Sequence, residues 1–114
     1  MVKYIPEQGD IIYLDFNPTI GHEQKGKRPA LVLSNRGFNL YTNMALVCPI
    51  TSNTKEFPLH IMLSSEQKIK GVVMCEQIKV IDYVARNAKF IEKIDETKYD
   101  EILEVIKSII AIEK

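Results

Sequence analysis

Between Asp10 and Phe16, Ile12, Leu14 and Phe16 fall on one side of the chain and Ile11, Tyr13 and Asp15 on the other, the two-residue period of a β-strand. Leu59, Ile61 and Leu63 repeat that alternation, as do Ala88, Phe90 and, less cleanly, Ile94. Pro29 to Ser34, Met44 to Ile50 and Gly71 to Val80 are more continuously apolar and β-branched, the signature of strands covered on both faces. This predicts six or seven short strands between about residues 10 and 94, separated by Gly, Pro and Asn turns. A sheet of that size in so short a chain limits its exposed edges by curling into a small barrel. The period then changes. After Asp95, a suitable N-cap, Tyr99, Ile102, Leu103, Ile106, Ile109 and Ile110 recur at steps of three and four, predicting an amphipathic helix over about 96–112. Glu96, Asp100 and Glu101 near its start and Lys107 near its end agree with the helix dipole. The helix reads as a lid on the barrel, and Val105 and Ile112 widen its apolar surface enough to suit a second subunit as well.

No repeat, linker or low-complexity stretch divides the chain, so residues 1–114 are expected to form a single domain. Fifteen basic and fifteen acidic side chains cancel, which excludes a polycation that coats nucleic acid indiscriminately. Their distribution is uneven: residues 1–91 carry a balance of +3 and residues 92–114 one of −3, placing any anion site in the first part. Cys48 and Cys75 both lie in apolar runs, too few and too far apart for a disulfide framework or a four-ligand zinc site, and read as buried thiols of a reducing compartment. Neither a signal peptide nor an apolar run long enough to span a bilayer is evident, so a cytoplasmic protein is expected.

Three segments are candidates for chemistry. Gly21-His22-Glu23-Gln24-Lys25-Gly26-Lys27-Arg28-Pro29 is the densest polar stretch between two strands, with a local charge of +2. Pro29 biases Arg28 toward an extended conformation at a strand entry, where its planar fork of donors suits a phosphate; a solvated hairpin loop fits the same residues. In Cys48-Pro49-Ile50-Thr51-Ser52-Asn53 a buried strand ends in hydroxyls and an amide, which suit either a phosphate oxygen or a turn closed on its own backbone. Glu76-Gln77 interrupts an apolar run, and outward-facing strand positions account for it. His22 and His60 are lone residues on separate segments, and familiar nucleotide-binding, hydrolase and metalloprotease motifs are absent.

Taken together these segments resemble the MazF/PemK family of bacterial toxin endoribonucleases. Gly9-Asp10-Ile11 with Asp15-Phe16 and Pro18 is similar to that family's opening strand, Glu23-Gln24, Gly26 and Arg28-Pro29-Ala30 to its signature loop, and Val47 to Ser52 to its third strand, with Glu76-Gln77-Ile78 and the terminal helix following in order. The resemblance implies an SH3-like β-barrel of the CcdB/MazF toxin type with a C-terminal helix, assembled as a homodimer. It further implies cleavage of single-stranded mRNA at short sequence motifs without a metal or cofactor, by attack of the ribose 2′-OH to leave a 2′,3′-cyclic phosphate and a 5′-OH. A cognate antitoxin protein is the implied partner, and no membrane is.

Carried over residue by residue, the family's active-site arginine falls on Arg28 and its catalytic threonine on Thr51, while Glu23 is the carboxylate on the same loop able to accept the 2′-OH proton. Arg28 and Thr51 suit the negative charge that builds on phosphorus, whereas a guanidinium is too basic to serve as a base. Gln24, Lys25, Lys27, Ser52, Asn53, Gln77 and Lys79 are the expected RNA contacts, with Asn35, Arg36, Phe38 and Lys55 as further candidates. Two competing readings are a gyrase-binding toxin of the same fold and a non-catalytic RNA-binding barrel. CcdB-like toxins resemble one another in a tryptophan-containing tail, and this chain has no Trp.

Overall fold

The computed structural model describes residues 3–15 and 27–113. Seven strands and two α-helices follow in the order β1 (Asp10–Asp15), β2 (Lys27–Val32), α1 (Arg36–Thr42), β3 (Ala45–Thr51), β4 (His60–Met62), β5 (Val72–Met74), β6 (Lys79–Ile81), β7 (Lys89–Lys93) and α2 (Glu96–Ile110), with a 3₁₀ turn at Cys75–Gln77 between β5 and β6. All ladders are antiparallel and run in the order β4-β5-β3-β2-β1-β7, with β6 joined to the first half of β3.

Among the described residues the ladder does not close on itself, yet the sheet curls into the expected barrel-like form. Ile61 of β4 and Ile94 beyond β7, from opposite ends of the strand order, meet in one apolar cluster with Ile11, Leu31, Cys48 and Val73. The same cluster takes in Ile102 and Ile106 of α2, so the helix is the lid its periodicity predicts. On the opposite face, Ile12, Leu14, Ala30, Val32 and Val47 pack with Ile81 and Tyr83. The central strands are therefore buried on both sides, as their continuous apolar runs require. Asp95 caps α2 by accepting from the Lys98 N–H, and the helix ends at Ile110, two residues short of the expected limit.

Two irregularities account for where the sequence pattern misleads. The run Gly71 to Val80 is not one strand: where β3 advances from Val47 to Ile50, its partner runs from Lys79 back to Val73, and the three surplus residues form the 3₁₀ turn. On the other edge, Ile11 faces Glu92 and Ile12 faces Phe90, leaving Ile91 as a bulge. The bulge inverts the phase of β7, so Phe90 is exposed while Ile94 is buried, which explains the imperfect alternation. No helix among the described residues is long and apolar enough to cross a membrane.

Candidate active site

The antiparallel register of β2 and β3 pairs Ala30 with Pro49. Two residues beyond that last pair lie Arg28 on β2 and Thr51 on β3, each on the same face of its strand as Ala30 and Pro49. Both side chains line a cavity of about 430 Å³ together with Lys27, Ser52, Lys68 and Lys70. Four cations and two hydroxyls thus converge there, and no carboxylate lies among the described lining residues. Arg28 is exposed, its strand anchored by the buried Ala30, Leu31 and Val32 that follow it.

Thr51 is held from two sides. Its Oγ1 accepts the Asn53 N–H at 3.2 Å, and Asn53 Oδ1 in turn accepts the Lys55 N–H at 3.1 Å. The turn that closes on its own backbone is therefore present, and an accepting Oγ1 keeps its hydroxyl hydrogen for a ligand. Behind Thr51 stands Gly71, with φ +133°; a Cβ there would lie 2.2 Å from the Thr51 carbonyl oxygen. Only glycine allows that approach, and it sets how far Thr51 projects into the cavity.

The lysines on the far wall belong to the loop 64–70, whose shape is imposed by Glu92. Its two carboxylate oxygens accept the N–H groups of Lys68 at 3.0 Å and Ile69 at 2.9 Å. Burial would raise the Glu92 carboxyl, but these N–H groups, with Gln67 and the Lys68 charge, hold it below its ordinary value. Gln67, buried beneath the loop, donates to the Lys93 carbonyl and accepts from the Asp95 N–H. Lys70 Nζ donates to the Ser65 carbonyl at 2.7 Å.

Thr51 also borders a second cavity, of about 370 Å³, lined by Phe57, His60, Met74 and Glu76 among others. His60 Nε2 donates to Glu76 Oε2 at 3.0 Å, and the Phe57 ring meets the imidazole edge-on at 4.8 Å. Burial pushes the Glu76 carboxyl up, but the hydrogen bond from His60 leads the contributions that bring it below its ordinary value, so it is ionised at neutral pH. His60 Nδ1 is buried without a partner.

The chain matches the family described as PemK-like, MazF-like toxin of type II toxin-antitoxin system over residues 7–110. It belongs to that family. The Endoribonuclease toxin MazF of Escherichia coli strain K12 is 43% identical over 86 residues, which cover 75% of this chain and 77% of that protein. The crystal structure of MazF from Deinococcus radiodurans superposes with a TM-score of 0.86 at 32% identity, covering 96% of this chain and all of the other. A MazE-MazF structure from the same organism gives 0.86 at 27% identity, covering 97% of this chain and all of the other.

As a MazF/PemK-family chain, this one brings Arg28, Thr51, Lys27 and Ser52 into one cavity, while Glu23, Gln24 and Lys25 lie outside the described residues. Asn53 and Lys55 border the second cavity instead. Lys79 stands apart from Arg28, since it pairs with Val47, four residues along β3 from Thr51, or about 13 Å, while Gln77 follows Glu76 in the 3₁₀ turn. Glu76-Gln77 sits in the 3₁₀ turn rather than on an outward strand face, because the turn lets Glu76 reach His60. Asn35 serves as the N-cap of α1 by accepting the Phe38 N–H, a structural employment for a residue expected on the RNA. Cys48 and Cys75 are buried free thiols, pushed up by burial to about 12 and about 11 and so inert at neutral pH. Lys68 and Lys70 are the lining residues that sequence reasoning missed; their signal is two cations within the four residues preceding a glycine that abuts a strand end.

Proposed function

We propose that the chain is a cytoplasmic toxin endoribonuclease that cuts single-stranded mRNA at the Arg28–Thr51 cavity without a metal, and that it acts as a homodimer restrained by a cognate antitoxin. Family membership and the name of the Escherichia coli relative support the activity, and the MazE-MazF structure supports a protein partner. The observation that carries the reading is the convergence of Arg28 and Thr51, far apart in sequence, on one cavity walled by cations.

The 2′-OH attacks phosphorus, the bond to the 5′-oxygen breaks, and a 2′,3′-cyclic phosphate and a 5′-OH result. Charge builds on the non-bridging oxygens, and a preplaced guanidinium with a hydroxyl donor stabilises it more than the ground state. Arg28 is the charge stabiliser and Thr51 the phosphate anchor. Glu23 takes the 2′-OH proton, and the leaving 5′-oxygen takes one from Arg28, whose guanidinium is reprotonated by water. Lys27, Lys68 and Lys70 hold neighbouring phosphates.

The deciding assay is cleavage of a long labelled RNA by the purified chain in excess EDTA. Site-selective cuts ending in cyclic phosphate, abolished by one 2′-deoxy substitution at the cut, are expected. Loss of cutting on adding EDTA overturns the metal-free mechanism, and a Glu23→Gln variant with an unchanged rate and acid limb removes Glu23 as the base.

A further inference from the structure

The second cavity has no role in the reaction just described, yet it is built from unusual parts. Thr51 is its common wall with the cationic cavity, so a strand whose phosphate rests against Arg28 has a neighbouring base within reach of Phe57, His60 and Glu76. Its volume of about 370 Å³ is that of a small-ligand site. The Phe57 ring is 44% exposed, which leaves surface for stacking. Glu76 lines the cavity, and of the roughly four lone-pair sites of its carboxylate the imidazole, its own backbone N–H and the Gln77 side chain engage three, which leaves one for a ligand. His60 Nδ1, buried and unpaired, is a cost that packing does not explain.

We infer that Phe57, His60 and Glu76 form a specificity subsite for an amino-bearing nucleobase next to the cleaved phosphate. This rests on the ribonuclease reading and deepens it. An ionised carboxylate only accepts hydrogen bonds, so it favours the exocyclic amino groups of adenine, cytosine or guanine. Uracil offers a single N–H flanked by two carbonyl oxygens, which the carboxylate repels. His60 is a positioning residue that fixes the carboxylate, and Phe57 supplies the stacking face.

Two measurements test this. The first is binding of the four nucleoside 3′-monophosphates to the intact protein, followed through the imidazole resonances of His60. The second is kcat/KM on four RNAs differing only at the nucleotide beside the cut. At least about tenfold discrimination against uridine is expected in both, as one well-placed base contact supplies. Glu76→Gln, whose amide both donates and accepts, is expected to erase that ratio with a melting temperature only slightly lowered by loss of the His60 ion pair, and Phe57→Leu to weaken all four bases alike. Equal binding of the four monophosphates overturns the subsite, and so does a Glu76→Gln variant that keeps the ratio or slows all four RNAs equally. Absence of RNA cleavage with selective monophosphate binding defeats the ribonuclease reading and leaves the subsite standing.

Discussion

Arg28 and Gly71 serve the cavity in opposite ways, one by its charge and one by lacking a side chain. Arg28 is exposed at the entry to β2 and contributes little to the core, so Arg28→Met is expected to leave folding within about 0.5 kcal/mol of the parent. Its turnover of RNA is expected to fall about 10²- to 10³-fold, the usual loss on removing one preorganised donor from a developing oxyanion. Single-turnover cleavage beside a denaturation curve checks both halves. Gly71→Ala inverts the pattern. A methyl group 2.2 Å from the Thr51 carbonyl oxygen must push the end of β3 away, at a backbone conformation that L-residues avoid. A loss of roughly 2 kcal/mol of stability, accompanied by loss of activity, is expected from the strain and displacement. An unchanged urea midpoint contradicts that close approach.

At the scale of elements, the wall opposite Thr51 is held by one carboxylate acting across the fold. Glu92 lies on β7, more than twenty residues from the N–H groups of Lys68 and Ile69 that it accepts. Because it is held below its ordinary value of 4.5, its contribution to stability is complete above that pH and is lost as the pH falls through the lowered value. Glu92→Gln is therefore expected to cost about 1 kcal/mol at pH 7 and to flatten the acid side of the stability profile. Urea midpoints measured from pH 7 downward check the sign. A midpoint that falls equally at all pH values refutes it. This dependence on a distant partner is also why Lys68 and Lys70 are not legible in the sequence: two lysines in a polar loop look solvated until Glu92 bends the loop inward. α1 is hidden for a related reason. Its only buried residue is Asn39, whose amide nitrogen donates to the Pro6 and Ser34 carbonyls, so it has no apolar stripe to announce it. By contrast α2 and the central strands bury apolar side chains in regular periods, and those periods are visible in the sequence.

Over the whole molecule, formal neutrality conceals a local field. Arg28 is legible from its loop and Thr51 from the end of its strand, but their meeting is decided by the β2–β3 register, and the surrounding cations by the loop 64–70. A single-stranded RNA that contacts Lys27, Arg28, Lys68 and Lys70 releases a counterion at each neutralised phosphate. For four such contacts the logarithm of the binding constant is expected to fall with the logarithm of salt concentration at a slope of about −3. Removing two of them in a Lys68→Ala/Lys70→Ala variant is expected to halve that slope, to about −1.4, and to weaken binding to all RNA sequences alike. Titrations of an uncleavable 2′-deoxy strand at several salt concentrations measure both slopes. Equal slopes for parent and variant place the strand's path away from the loop, whereas a halved slope with unchanged base preference puts these two lysines on the phosphates and leaves sequence reading to other groups.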